Sequence, residues 1–258
     1  MVAGGWGPAG HLGALHGSSR PERLEVVRGI TTSTDSRKYP AVIIDIATPH
    51  GPARVRLEGG RGMSGGEAMG CRLALVLGHG AGGGVNATDL RATAEAAVAL
   101  GFMVALVEQP YRVAGRRSPP PARQLDTSWL AVITALAAGP LAGCRFVVGG
   151  RSSGARVACR TAALAQAVGV LCLAFPLLPP GAARQGDVSK SRLGELKAVP
   201  ASVPVLVVQG ARDPFWMPPP GDNRSVVEIV GTHTLSSTKA VRTAVSPWLA
   251  VLLAVADR

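Results

Sequence analysis

The sequence has few charged and few aromatic side chains for its length. Of 258 residues, 17% are charged and 4% are aromatic, whereas 47% are hydrophobic. A chain of this length and apolar content can bury a substantial core, so an intrinsically disordered protein is excluded. The longest apolar runs, VGVLCLAF and VSPWLAVLLAVA, fall short of the roughly 18 uncharged residues of a membrane span. We therefore expect no association with a membrane.

Cysteine is also scarce, and its spacing excludes the usual cysteine-based sites. The four cysteines, Cys71, Cys144, Cys159 and Cys172, form no C-x-x-C pair, so neither a zinc site nor a disulfide framework is expected. We expect no metal and no cofactor. The chain has no Lys or Arg before Arg20 and no sustained apolar run near its start, which does not fit a secretory signal peptide. The expected location is the cytoplasm.

The basic residues are numerous but scattered. The formal net charge is +11, yet no basic run is longer than the pair Arg116-Arg117. With so few aromatic residues, little is left for stacking on nucleic-acid bases. The pattern favours a globular domain with a basic surface over a nucleic-acid-binding protein. An acidic small-molecule substrate is compatible with the same charge.

The chain divides into a leader and one domain. Residues 1–39 are rich in Gly, Ser and Thr with little apolar periodicity, which is typical of a flexible leader, although a strand could begin near Leu24. Residues 40–258 form the predicted domain. It opens with AVIIDIATP and ARVRLEGG, separated by HGP, which indicates an antiparallel hairpin.

Beyond Gly70, short apolar runs alternate with segments of helical periodicity. The predicted strands are LALVLG, FMVALV, RFVVGG, VGVLCLAF, VPVLVVQG and SVVEIVG. The predicted helices are Thr88–Leu100, with Asn86 or Asp89 as its cap, Asp126–Ala138, with Asp126 or Thr127 as its cap, and Ser153–Val168. Continuous apolar strands alternating with helices predict an α/β fold with a mostly parallel, doubly wound sheet covered on both faces.

One serine occupies a motif that can make it a nucleophile. The pattern G-x-S-x-G fits Gly150 to Gly154 and places Ser152 at its centre. With 33 glycines in the chain, the motif alone is weak, but here it joins a predicted strand to a predicted helix. In that setting a sharp turn exposes the serine at the top of the sheet. Arg151 is expected to point outward, and its role is open.

A serine hydroxyl needs a base and a group that orients the base. Of five histidines, His11 and His16 lie in the leader and His50 in the hairpin turn, whereas His233 directly follows the last strand. We therefore select His233 as the candidate base.

The candidate acid should lie between Ser152 and His233, close to a strand end. Asp213 follows VPVLVVQG closely and is favoured, although an Asp-Pro step is also typical of an ordinary turn. Asp222, in a proline-rich loop, is the alternative. The resulting order is Ser, Asp, His.

A run of small residues could supply the oxyanion hole. The segment LVLGHGAGGGVN follows a predicted strand, and backbone N–H groups in such a loop can point at a developing negative charge. Ala81 and Ser153 are the candidate donors, and His79 is expected to fix the loop by hydrogen bonding. A phosphate-binding loop is disfavoured, because no Lys-Ser/Thr follows and the glycines do not fit G-x-G-x-x-G before a helix.

These segments together resemble the α/β-hydrolase superfamily from about Ala41 to the C-terminus. GHGAGG, EQPYRVAGRR, GGRSSGAR, AFPLLPPG and QGARDPF are similar to a small dienelactone-hydrolase-like subgroup. That subgroup includes the testis-expressed proteins and a subunit of a nuclear histone-acetyltransferase complex. The resemblance implies Ser152 as nucleophile, Asp213 as acid and His233 as base. Relatives often have methionine where this chain has Ser153, but only the backbone N–H of that residue is needed.

The substrate side is less well defined. The segment EQPYRVAGRRSPPPARQLD should border the pocket, with Tyr111 and Arg112 as candidate contacts. Arg112, Arg116 and Arg117 could bind a carboxylate or phosphate, or could form a solvated basic loop, which is the favoured alternative. Only about thirty residues separate VGVLCLAF from Val203, too few for a large lid.

Two functions from different classes follow. The first is a serine hydrolase that cleaves an ester, thioester or related acyl bond of a small molecule through an acyl-enzyme. The second is a non-catalytic binding or scaffold protein that retains the fold.

Overall fold

The computed structural model describes Met1 and residues 27–33, 41–59 and 72–256. Most of the predicted leader lies outside these ranges, but Val27–Ser33 forms a strand. The strands are β1 (Val27–Ser33), β2 (Ala41–Ile46), β3 (Ala53–Glu58), β4 (Leu73–Gly78), β5 (Met103–Glu108), β6 (Arg145–Arg151), β7 (Gly169–Leu173), β8 (Val205–Gly210) and β9 (Arg224–Ile229). Each apolar run predicted to be a strand is one, so the strand pattern is confirmed.

Within the described ranges these strands form one sheet of nine in the order β1-β2-β3-β5-β4-β6-β7-β8-β9. β1, β2 and β3 pair antiparallel, as do β3 and β5, and all later pairs are parallel. The predicted hairpin is therefore β2–β3. Because β4 to β9 run the same way, their carboxyl ends meet at one edge of the sheet, where ligands bind in such folds.

Helices cover both faces of the sheet. They are α1 (Thr88–Ala99), α2 (Pro110–Val113), α3 (Ala122–Ala138), α4 (Ser153–Thr161), α5 (Pro180–Gln185), α6 (Leu193–Lys197) and α7 (Thr238–Ala256), with a 3₁₀ turn at Val188–Lys190. The core on one face includes residues of α3, α4 and α6, and the core on the other includes residues of α1 and α7. The predicted doubly wound α/β fold is confirmed.

Three helix boundaries differ from the predictions. α3 begins at Ala122, with Pro121 at its N-cap position, so neither Asp126 nor Thr127 caps it. Asp126 instead receives two hydrogen bonds from Arg160. α4 ends at Thr161, well before the predicted Val168. The N-cap position of α1 is Ala87, with no side-chain cap.

The segment between β7 and β8 holds only α5, the 3₁₀ turn and α6. These are single-turn or two-turn elements that lie close to the body of the domain, with Leu196 of α6 fully buried. The prediction that the fold has no large lid is confirmed.

Helix α7 is long and apolar enough to pass a length and composition test for a membrane span, with a mean hydropathy of 1.4. A mostly buried core helix can have the same length and composition, whereas 22% of the apolar window of α7 is buried. Here Val241, Val245, Leu249 and Leu252 are buried and belong to the core on the α1 side of the sheet.

The cysteines differ in state. Cys159 and Cys172 are free and fully buried, with their sulfur atoms 3.4 Å apart. The hydrogen bond with Cys172, together with burial, raises the pKa of the Cys159 thiol. Cys144 is disulfide-bonded, which the spacing of the cysteines in the sequence did not lead us to expect.

Candidate functional site

Ser152 lies at a sharp turn between β6 and α4. Its backbone has φ 52° and ψ −107°, a conformation that is costly for a residue with a side chain and that marks a functional site more often than an ordinary turn. The Ser152 N–H donates a 2.9 Å hydrogen bond to the carbonyl of Leu173 at the end of β7. This bond anchors the turn at the carboxyl edge of the sheet.

Two glycines of the motif allow that turn to pack against β4. A β-carbon on Gly150 or on Gly154 would overlap the carbonyl oxygen of Gly78. Gly78 in turn lies against the ring of Trp129, a fully buried residue of α3. The G-x-S-x-G spacing is therefore a packing requirement here as well as a chemical one.

We expect Gly154→Ala to lower the free energy of unfolding by about 1–3 kcal/mol, the usual cost of overpacking a close contact. Gly194→Ala is the matched control, because Gly194 also lies in a helix but has open space around its α-carbon. That change should be neutral or stabilising by up to about 1 kcal/mol. Urea unfolding midpoints measure both, and equal midpoints for the two variants would contradict the packing argument.

Ser152, His233 and Asp213 form one chain of hydrogen bonds. His233 Nε2 is 2.9 Å from Ser152 Oγ, and His233 Nδ1 is 2.8 Å from Asp213 Oδ2. The Asp213 side chain is 1% exposed and that of His233 is 18% exposed. An aspartate that accepts a hydrogen bond from Nδ1–H leaves the Nε2 lone pair facing the serine hydroxyl, the arrangement a general base requires.

Two residues that the sequence analysis missed hold Asp213 and His233. The side-chain amide of Gln209, at the end of β8, donates to Asp213 Oδ2 at 2.8 Å, and the Phe215 N–H donates to Oδ1 at 2.9 Å. The Phe215 ring meets the His233 ring edge to face, with centroids 4.5 Å apart. Gln209 could have been noticed as the one polar side chain in an apolar strand, since a buried amide must find partners.

The competing candidates lie elsewhere. Asp222 is exposed, and within the described residues no hydrogen bond joins it to His233. His50 is exposed and its Nε2 contacts the Thr127 hydroxyl at 3.0 Å. His11 and His16 lie outside the described residues.

His79 fixes the loop that follows β4. Its Nδ1 is 2.8 Å from the Gly80 carbonyl, so it donates there, and its Nε2 accepts from the Gln109 N–H at 3.0 Å. Burial lowers the pKa of His79, and the neutral tautomer is the form that can donate at one nitrogen and accept at the other. The expected loop-fixing hydrogen bonds are present.

Tyr111 supports the same loop. It is 2% exposed, and its hydroxyl donates to the carbonyl of Ala81 at 2.8 Å. Burial raises the pKa of Tyr111 to about 12, so the hydroxyl keeps its proton at neutral pH. This hydrogen bond ties Tyr111 to the loop that carries Ala81.

The candidate oxyanion donors are the backbone N–H groups of Ala81 and Ser153. Within the described part of the chain, neither N–H has a hydrogen-bond partner. Ser153 is the first residue of α4, where the helix dipole favours negative charge. Both residues are partly exposed.

The basic segment after β5 is mainly on the surface. Arg116 and Arg117 are exposed. Arg112 is half-buried and donates from Nη1 to the Arg116 carbonyl at 3.3 Å, while its Nε is buried and unpartnered among the described residues.

Among the described side chains, no group of three or more His, Cys, Asp or Glu could hold a metal ion.

The chain matches one protein family by sequence and several solved structures by fold. Residues 65–237 match the family described as Alpha/beta hydrolase domain. No curated protein sequence matches the chain.

Three solved structures illustrate the similarity of the fold. Est1E from Butyrivibrio proteoclasticus is 16% identical, with a TM-score of 0.64, over 82% of this chain and 99% of that one. A lidless α/β serine hydrolase from Xanthomonas campestris is 18% identical, with a TM-score of 0.57, over 81% and 94%. Dienelactone hydrolase from Anabaena variabilis is 16% identical, with a TM-score of 0.60, over 84% and 97%.

Proposed function

Because this chain belongs to the α/β-hydrolase domain family, we propose that it is a serine hydrolase that cleaves an ester, thioester or related acyl bond of a small molecule. The observation that supports this most is the unbroken chain from Ser152 Oγ through His233 to Asp213, with both distances below 3 Å. A nucleophile, a base and a group that orients the base are the minimum set for acyl transfer.

In the first half of the proposed reaction, His233 Nε2 takes the Ser152 proton as Oγ attacks the substrate carbonyl carbon. The carbonyl oxygen becomes an oxyanion, bound by the N–H groups of Ala81 and Ser153. Asp213 stabilises the imidazolium without taking its proton. The imidazolium then protonates the leaving alkoxide or thiolate, and the acyl group stays on Ser152.

In the second half, water takes the place of the departed alcohol or thiol. His233 removes a proton from that water, the hydroxide attacks the acyl carbon, and a second oxyanion forms in the same hole. Collapse breaks the bond to Oγ, which regains its proton from His233. The free acid leaves and the enzyme returns to its starting state.

The shape of the site supports a short acyl group. Only small helices separate β7 from β8, so little of the chain is available to enclose a long substrate. Two of the similar structures are a serine hydrolase without a lid and a dienelactone hydrolase. Both are compatible with the narrower resemblance to a dienelactone-hydrolase-like subgroup. We propose that subgroup as the chain's relatives.

A series of p-nitrophenyl esters of increasing acyl length tests the proposal. We expect hydrolysis that falls as the acyl chain lengthens and that is absent in Ser152→Ala. If neither short nor long esters are turned over above the rate of Ser152→Ala, the non-catalytic binding protein is the better description.

Arg112 provides a test of substrate charge. If its half-buried guanidinium binds a substrate anion, Arg112→Met should raise KM for acidic esters by about tenfold while kcat changes little, because uniform binding is lost. Arg117→Met, on the exposed part of the same segment, is the control and should change neither constant. Equal KM changes for neutral and acidic esters would assign Arg112 to the solvated surface instead.

A further inference from the structure

Arg151, whose role the sequence left open, does not point into solvent alone. Its side chain is 17% exposed, and its guanidinium lies between the first turn of α1, the loop after β4 and the loop around His233. Nε donates to Asp89 Oδ2 at 2.9 Å, and Nη2 donates to the backbone carbonyl of His233 at 3.2 Å. Nη1 packs against Gly80, where a β-carbon would lie only 2.8 Å from this nitrogen.

The contact with Arg151 is one of several that hold the loop around His233. The Arg212 N–H donates to the Gly231 carbonyl at 2.9 Å, and Leu235 is buried. Val230, Thr232 and Thr234 on either side are exposed. Within the described residues the His233 carbonyl has no hydrogen-bond donor other than Arg151. The carbonyl of the proposed base is therefore bound by the side chain that directly precedes the proposed nucleophile.

The other end of the contact is fixed. Asp89, in the first turn of α1, is 3% exposed in its side chain, and its Oδ1 accepts the Leu90 N–H at 2.8 Å. The charge on a buried aspartate is costly unless it is paired, and desolvation accordingly raises the pKa of Asp89 although Arg151 lowers it. The ion pair thus holds the guanidinium at a defined point on a rigid helix.

We propose that Arg151 is a positioning residue that clamps the His233 loop to α1, and so keeps the imidazole within hydrogen-bond reach of both Ser152 and Asp213. This inference rests on the proposed hydrolase function for its consequence in turnover. The effect of Arg151 on the position of the His233 ring can be measured whether or not the protein is an enzyme.

The matched pair of variants is Arg151→Met and Arg160→Met. Arg160 lies on helix α4, is 19% exposed, and is paired with Asp126 at 2.6 Å and with Glu195 at 3.2 Å. Each change therefore removes an arginine of similar exposure from its carboxylate partners. Only Arg151 contacts the His233 loop. Arg151→Lys is the conservative variant, since a lysine can keep one acceptor but not the fork of two.

The first readout is the tautomer of His233, measured from ring ¹⁵N chemical shifts of the full chain labelled at histidine. The spectra are taken at about pH 8, above the ordinary histidine pKa, and His233→Gln identifies the resonances. We expect the Nδ1–H form in the parent and in Arg160→Met, and a mixture of tautomers in Arg151→Met. An unchanged Nδ1–H form in Arg151→Met would overturn the clamp.

The second readout is the rate of inactivation by a fluorophosphonate, together with kcat and KM on an ester. A misplaced base is expected to cost about 100-fold in inactivation rate and in kcat, with KM nearly constant, in Arg151→Met. Arg151→Lys should recover part of the loss, and Arg160→Met should stay within about threefold of the parent. Equal losses in the two methionine variants would assign Arg151 a merely structural role.

The two readouts separate the two proposals. A parent protein that fails to react with the fluorophosphonate would contradict the hydrolase function, while the tautomer comparison would still decide whether Arg151 holds the His233 ring. If Arg151→Met does not fold, the His233 tautomer is compared between Arg151→Lys and the parent instead, and an unchanged Nδ1–H form would again overturn the clamp.

Discussion

Replacing Ser152 with alanine is expected to lower kcat by about 10⁶-fold, the size of loss seen when a serine hydrolase loses its nucleophile. The physical reason is that no acyl-enzyme can form, so the reaction must proceed by direct attack of water. The oxyanion donors remain and should leave a residual acceleration of about 10³–10⁴ over the uncatalysed reaction. Steady-state hydrolysis of a short-chain ester measures the loss.

Ser153→Ala is the matched control for this change. Each of the two variants removes one serine hydroxyl, at neighbouring positions of the same turn. The proposed role of Ser153 uses only its backbone N–H, which alanine retains. We expect less than about a tenfold loss of kcat in this variant. A large loss in Ser153→Ala with activity retained in Ser152→Ala would mean that the nucleophile has been assigned to the wrong serine.

Replacing Asp213 with asparagine is expected to lower kcat by about 10³–10⁴-fold while the protein stays folded. The amide keeps the shape of the carboxylate, but its NH₂ group favours the His233 tautomer that carries the proton on Nε2. That tautomer cannot accept the serine proton. Circular dichroism establishes folding, and ester hydrolysis measures turnover.

Two further variants test whether Asp213 is the acid and His233 is the base. Asp222→Asn, on an exposed loop, should cost less than about tenfold, because the structure gives Asp222 no bond to His233. His233→Ala should cost at least as much as Asp213→Asn, since it removes the base itself. If Asp222→Asn is the inactive variant, the acid is misassigned; if neither aspartate matters while Ser152 still reacts, another group orients His233.

The strands could be predicted from the sequence because a buried parallel strand leaves a continuous apolar run. The helix ends could not be predicted equally well. The helical pattern predicted a start at Asp126, yet α3 starts at Ala122, directly after Pro121, and proline is compatible with the start of a helix. After α4 ends at Thr161, the apolar residues continue in a turn, where Gln166 adopts φ 48°. Their apolar pattern is therefore not evidence for a longer helix.

The site could be predicted in part, for a related reason. Ser152, Asp213 and His233 each lie next to a strand end, and strand ends of a parallel sheet converge. The residues that were missed act through contacts that sequence distance conceals. Arg151 and His233 are 82 positions apart, and nothing in the local sequence of either indicates that one binds the backbone of the other. Local sequence also does not show that Gln209 faces Asp213, because the facing direction depends on the strand register.

The proposed activation of Ser152 can be tested without knowing the substrate. Purified full-length protein is treated with a fluorophosphonate, and the modified residue is located by peptide mass spectrometry, with Ser152→Ala and heat-denatured protein as controls. Our account predicts a single adduct on Ser152 in the native protein and none in either control. No adduct on the native protein, or an adduct that persists in Ser152→Ala, would contradict it.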